Sequence, residues 1–126
     1  MLFDRMHHVA IIVSDYERAK KFYVETLGFP VLRENFRAER GDWKLDLKFG
    51  DAELELFAIP GAPERPSHPE AQGPRHLAFR VESVEAAVAE LAKRGVQCEP
   101  IRQDAFTGKA MTFFHDPDGL PLELHE

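Results

Sequence analysis

Apolar and polar residues alternate in four short stretches of the chain: HVAIIV at 8–13, LELF at 54–57, HLAFRV at 76–81 and LELHE at 122–126. Neighbouring side chains on a strand point to opposite faces, so each stretch reads as a half-buried strand. Val9, Ile11 and Val13 then face a core, with His8, Ala10 and Ile12 on the other side. Leu77, Phe79 and Val81 face a core opposite His76 and Ala78, Leu54 and Leu56 oppose Glu55, and Leu122 and Leu124 oppose Glu123.

The period changes after the first strand. Ser14 and Asp15 are N-cap residues, and Glu17 stands three after Ser14 as in a capping box. Ala19, Phe22, Tyr23, Thr26 and Leu27 keep helical spacing on one face, and Gly28 follows as the C′ residue. Strand periodicity returns in 29–39, 43–49 and 53–59, separated by Arg40-Gly41-Asp42 and Gly50-Asp51, which are turn chemistry. This unit reads βαβββ. Pro60 to Pro74 then carries recurrent prolines without apolar periodicity and reads as an extended connector.

A second unit repeats the first at an offset of 68 residues, which carries His8 onto His76, Asp15 onto Ser83 and Glu55 onto Glu123. Val84, Ala87, Val88 and Leu91 form the buried stripe of its helix, Gly95 ends it, and strands follow at 96–103, 110–115 and 121–126. Asp116-Pro117-Asp118-Gly119 is the turn between the last two. The expected fold is α+β: tandem βαβββ modules forming a curved mixed sheet around a cup, helices outside. The expected organisation is one domain over 1–126, with modules at about 5–60 and 75–126 and a linker at 61–74. A unit of about 60 residues is marginal alone, so the copies should pair within one chain or between two, and a homodimer is the expected assembly.

Composition narrows the function. The formal charge is −6 with no cluster of Lys and Arg, which argues against nucleic acid as the partner. Cys98 is the only cysteine, so no intrachain disulfide can form and a reducing compartment is the simpler reading. MLFDRMHH has no basic n-region followed by an apolar h-region, and no apolar run is long enough for a bilayer, so a cytoplasmic protein without a membrane partner is expected. Two imidazoles and two carboxylates at equivalent points of a duplicated unit suit one divalent metal, which makes His8, Glu55, His76 and Glu123 the candidate ligands.

The stretches HHVAIIVSD, FYVETLGF, LELF, RHLAFRVES and FFHDPDGLPLELHE resemble the vicinal oxygen chelate superfamily, which includes glyoxalase I, methylmalonyl-CoA epimerase, extradiol dioxygenases, and fosfomycin and bleomycin resistance proteins. The linker ERPSHPEAQGP departs from glyoxalase I and is nearer to a bacterial glyoxalase-like branch. The resemblance implies the same four ligands, His8, Glu55, His76 and Glu123, in the set found in glyoxalase I. It implies a metal-dependent lyase or isomerase acting on a small 2-oxo compound or its thiol hemithioacetal through a metal-bound enediolate, with Glu123 as the base and Glu55 as its pseudo-symmetric partner. Nickel, cobalt or zinc is the expected metal. An extradiol ring-cleaving dioxygenase with iron or manganese is the first alternative, and a non-catalytic antibiotic- or metabolite-binding protein is the second.

Other residues admit two readings each. His7 lies on the face opposite His8 and should close the core end. His125 shares a face with Glu123 and either lines the site or ends the sheet, His115 precedes the DPDG turn, and His68 lies in the linker. Arg37, Trp43, Lys44, Phe106 and Lys109 lie in or beside loops and are candidates for the substrate rim, although Phe106 could equally be core. Thr107-Gly108-Lys109 reads first as a flexible loop.

Overall fold

A computed structural model describes residues 1–126. The chain divides into two compact units, Met1–Pro63 and Glu64–Glu126. Each carries a four-stranded mixed sheet and a short helix, in the βαβββ order read from the sequence.

In the first unit β1 (His8–Val13), β2 (Val31–Arg37), β3 (Asp42–Phe49) and β4 (Ala52–Ala58) form a sheet of order β1-β4-β3-β2. The outer pair β1 and β4 is parallel, and the pairs β3–β4 and β2–β3 are antiparallel with short turns. Val13, Leu45, Leu47, Leu54 and Leu56 are buried on one face, as the alternation requires. β2 is an edge strand, exposed from Val31 to Phe36. A register shift between Val31 and Arg33 sets Arg33 opposite Asp46.

Helix α1 (Tyr16–Lys20) is shorter than the periodicity predicts, because Lys21–Thr26 continues as a π-helix. Its N-cap is Asp15, whose carboxylate accepts from the Arg18 amide at 2.8 Å; Ser14 is not the cap. The Leu27 amide reaches back five residues to the Phe22 carbonyl at 2.9 Å. Gly28 at φ 87° then reverses the chain, and Phe29 N–H closes on the Tyr23 carbonyl at 3.1 Å. The wider turn keeps Ala19 and Tyr23 buried against the sheet.

In the second unit β5 (Leu77–Arg80), β6 (Arg102–Gln103), β7 (Ala110–His115) and β8 (Pro121–His125) form a sheet of order β5-β8-β7-β6, with β5 and β8 parallel. Helix α2 (Val84–Lys93) is regular and buries Val84 and Leu91. Ser83 caps it by accepting from the Ala86 amide at 3.1 Å, and the Glu126 carboxylate accepts from the Val84 amide at 2.9 Å. It ends in a Schellman motif: Val96 N–H to the Leu91 carbonyl at 2.9 Å and Gly95 N–H to the Ala92 carbonyl at 3.1 Å.

β6 corrects the sequence reading, which ran from Val96 to Gln103. Pro100 has no N–H to donate to a ladder. Glu99 N–H still reaches the Phe113 carbonyl at 2.8 Å, and the buried Thr112 hydroxyl donates to the Glu99 carbonyl at 2.7 Å. A side chain thus stands in for the missing rung. No helix is long and apolar enough to cross a membrane.

Candidate functional site

The His8–Glu55 pair lies on the face of its sheet opposite the leucine core. Glu55 on β4 stands between Ala10 on β1 and Asp46 on β3, its register partners. His8 is two residues from Ala10 along β1 and shares its face, and its Nε2 lies 3.6 Å from Glu55 Oε1. Lys44 shares that face on β3, with Nζ 3.5 Å from Glu55 Oε2 and 2.8 Å from Asp46 Oδ1. Arg33 Nε donates to Asp46 at 2.8 Å, and its Nη2 donates to Glu53 at 2.5 Å.

Asp46 is almost wholly buried, at 1 % exposure. Burial pushes its carboxyl up, but hydrogen bonds from Lys44 and Arg33 outweigh that and hold it below the usual carboxylate range. Carboxylate oxygens of Asp46, Glu53 and Glu55 come within 4.8 Å of one another. Asp46 and Glu53 are already neutralised by cations at 2.5–2.8 Å, so Glu55 with His8 is the pair better suited to an incoming metal.

The His76–Glu123 pair of the second unit repeats the first in register. Glu123 on β8 stands between Ala78 on β5 and Phe113 on β7, as Glu55 stands between Ala10 and Asp46. His76 Nε2 lies 2.9 Å from Glu123 Oε2, and its ring packs edge-on to Phe113 at 5.1 Å between centroids. The Glu123 side chain is 9 % exposed, and the donor facing it is an imidazole rather than a permanent cation. A buried carboxylate in that position is suited to a divalent ion, whose charge would offset the desolvation. Imidazole nitrogen with carboxylate oxygen is a donor set for zinc, nickel or cobalt.

The structure distributes the remaining sequence candidates unevenly. Arg37 and Lys44 join the Glu55 face: Arg37 forks onto Asp42 at 2.6 and 2.7 Å with its guanidinium 4.8 Å over the Phe57 ring. Trp43 does not, because alternation along β3 puts it with Leu45 on the helix side, where it packs on Tyr16 at 4.6 Å. Phe106 is 99 % exposed in a turn built by Asp104, whose carboxylate accepts from the Phe106 and Thr107 amides, so it is not core. Lys109 closes that turn through backbone bonds. His115 is exposed at the end of β7, and His68 lies in the linker.

His125 lies on the Glu123 face, with Nε2 3.2 Å from Asp104 Oδ2 and Nδ1 2.7 Å from the Glu126 carbonyl. The carbonyl first, and then Asp104, hold its imidazolium above the ordinary histidine value. His7 departs from the alternation. It precedes the first residue of β1, and its Nδ1 lies 2.9 Å from His8 Nδ1, so it is a partner of His8 rather than a cap on the core. Asp46, Arg33, Phe113 and Asp104 were not singled out from the sequence. Their places depend on cross-strand register, for which alternation within one strand carries no signal.

The chain matches the model of the Glyoxalase/Bleomycin resistance protein/Dioxygenase superfamily over residues 5–124. It belongs to that superfamily. It is 57% identical to the uncharacterized protein YwkD of Bacillus subtilis over 127 residues, covering 100% of this chain and 99% of YwkD. The crystal structure of a glyoxalase family protein from Enterococcus faecalis aligns at 61% identity and a TM-score of 0.95, covering 100% of both chains. The trypanothione-dependent glyoxalase I of Leishmania major aligns at 34% identity and a TM-score of 0.73, covering 98% of this chain and 87% of that one. Superfamily relatives of this chain also include epimerases and an antibiotic-binding protein.

Proposed function

We propose that His8, Glu55, His76 and Glu123 together hold one divalent metal ion, and that the protein is a lyase or isomerase of glyoxalase type acting on a small 2-oxo compound or its thiol hemithioacetal. One observation carries the reading: a His Nε2–carboxylate pair recurs at the same register of two parallel strand pairs, Ala10 opposite Glu55 and Ala78 opposite Glu123. The set is completed either by the two units of one chain or by units exchanged in a homodimer.

When bound, the metal would polarise vicinal oxygens of the substrate and acidify the adjacent C–H. Glu123, with no lysine or arginine paired to it, takes that proton and returns it to the neighbouring carbon. Glu55 stays anchored, since Lys44 and His8 flank its two oxygens. Phe113 beside Glu123 keeps water from its carboxylate.

The test is elemental analysis of the purified protein and of His8→Ala and Glu123→Ala, followed by hemithioacetal isomerisation with nickel, cobalt and zinc forms. A stoichiometric metal, lost in both variants, together with turnover is the expected result. Metal in undiminished amount in both variants would refute the ligand set. Metal without turnover would refute the reaction. The likeness to the antibiotic-binding protein TnmS3 from Streptomyces, at 30% identity, favours a second reading, tight binding without product. Mass spectrometry of a bound ligand recovered unchanged would support it.

A further inference from the structure

We infer that the substrate is an anion, and that Arg80 and Arg102 of the second unit recognise its carboxylate or phosphate groups. This deepens the proposed function and rests on it for the identity of the reacting site. Arg80, His125, Met111 and Arg102 are successive register partners across β5, β8, β7 and β6. Direct partners in a ladder share a face, so the four form one row across the sheet, on the same side as Glu123. The row lies two residues along β8 from Glu123, roughly 7 Å.

The two guanidiniums are available. Arg80 is exposed with no ion-pair partner, whereas Arg33, Arg37 and Lys44 of the first unit are each held by a carboxylate at 2.5–2.8 Å. Arg102 meets Glu99 only at 3.5 Å, with both side chains about half exposed. Asp104 engages the row only at His125: two backbone amides take its other contacts, and neither arginine pairs with it.

Arg102 is also aimed. Its guanidinium lies 5.3 Å over the ring of Phe113, the residue beside Glu123 and edge-on to His76. A guanidinium held over a ring keeps N–H groups for a planar acceptor, the pairing that recognises carboxylate or phosphate. The Cα positions of Arg80 and Arg102 are separated by three strand spacings, roughly 14 Å. That span suits a molecule carrying more than one anionic group better than a compact monoanion. The equivalent row of the first unit, Ile12, Phe57, Lys44 and Asn35, holds one cation, and Asp46 binds it.

The experiment compares hemithioacetals of methylglyoxal formed with glutathione, which brings carboxylates, coenzyme A, which brings phosphates, and neutral 2-mercaptoethanol. Wild-type metal-loaded protein is expected to favour one anionic adduct over the neutral one at least tenfold in kcat/KM. The favoured adduct identifies the anion. In Arg80→Gln/Arg102→Gln that ratio should fall at least tenfold, and it should stay unchanged in the net-charge control Lys93→Gln. A merely structural role would lower all adducts together and leave the ratio intact, which would overturn the inference. So would equal use of neutral and anionic adducts. Calorimetric binding of S-methylglutathione and desulfo-coenzyme A separates this result from failure of the reaction itself. Binding weakened at least tenfold in the double variant supports the anion site even without turnover, and no binding to either by the wild type overturns it.

Discussion

The two units place a histidine and a glutamate on the same strands, in the same register, and surround them differently. Glu55 has Asp46 as its cross-strand neighbour on β3, within a network running through Lys44, Arg33 and Glu53. Glu123 has Phe113 in that position and no lysine or arginine paired with it. Duplication accounts for what the halves share, since a parallel strand pair with an alanine opposite the glutamate builds the same geometry twice. What differs is the residue one strand away: a charged network stands beside Glu55 and an aromatic ring beside Glu123.

The largest expected effect tests that separation directly. Glu123→Gln should lower kcat on the hemithioacetal by about 10²–10⁴-fold, the range for loss of a general acid–base. Glu55→Gln should act mainly on metal affinity, read by competition with a chelator, with a smaller change in kcat once metal is saturating. Equal losses of kcat in the two variants would mean that the neighbours do not differentiate the carboxylates. Lys44→Met sharpens the comparison: removing the cation 3.5 Å from Glu55 should strengthen metal retention in that variant, with no counterpart in the second unit.

Core substitutions come next, and here the halves should behave alike. Leu47 and Leu122 are both 0 % exposed. Truncation of either to alanine should cost about 2–5 kcal/mol in urea unfolding, through lost transfer energy and the cavity left behind. A cost well under 1 kcal/mol at one of them would show that its half collapses into the space, and so is packed less tightly than the other.

The helix caps should give smaller and unequal losses. Asp15→Ala removes the carboxylate bonded to the Arg18 amide, and Ser83→Ala removes the hydroxyl bonded to the Ala86 amide. Each is expected to cost about 0.5–2 kcal/mol. Asp15→Ala should be the larger, because α1 has five residues before its π-helical continuation, while Glu126 gives α2 a second acceptor at Val84. Hydrogen exchange of the first-turn amides measures this. Greater loss of protection in Ser83→Ala would show that Glu126 adds nothing.

Much of this was legible in the chain, and the limit has a physical form. Period-two alternation separates His8 and Glu55 from Val9 and Leu54, and the common offset gives the second pair. Turn chemistry gives Asp15, Ser83, Gly28 and Gly95. Alternation within one strand says nothing about which residue of the next strand lies opposite, so Asp46 beside Glu55 and Phe113 beside Glu123 stayed hidden. The shift at Val31–Arg33 aims Arg33 at Asp46 and has no sequence period at all. Trp43 borders a turn, which suggests a rim position, but its alternation with Leu45 and Leu47 assigns it to the helix side. The extra residue of the π-turn was invisible because Phe22, Tyr23, Thr26 and Leu27 suit either helical period.

The smallest effect should come from acid, and it should fall first on the first unit. Arg37 forks onto Asp42 and holds that carboxyl below its usual range; the Lys20 hydrogen bond, and then that of Tyr16, do the same for Glu34. A carboxyl whose folded pKa is depressed stabilises the fold above its unfolded value, about 3.9 for Asp, and the contribution is lost as pH falls through the folded value. These pairs therefore add nothing to the pH dependence around neutrality and fail only below about pH 4. Arg37→Met removes the guanidinium, so Asp42 protonates at higher pH and the acid midpoint of the first unit moves upward. Asp42 is buried, so its pair with Arg37 is screened only partly, and 1 M sodium chloride should leave much of the difference between variant and wild type in place. Circular dichroism from pH 5 to pH 2, with exchange protection read separately at Leu47 and Leu122, checks both points. A midpoint unmoved by Arg37→Met would mean that the Asp42 pair forms without differential stabilisation, and the first unit's denser ion pairing would then serve the site rather than the fold.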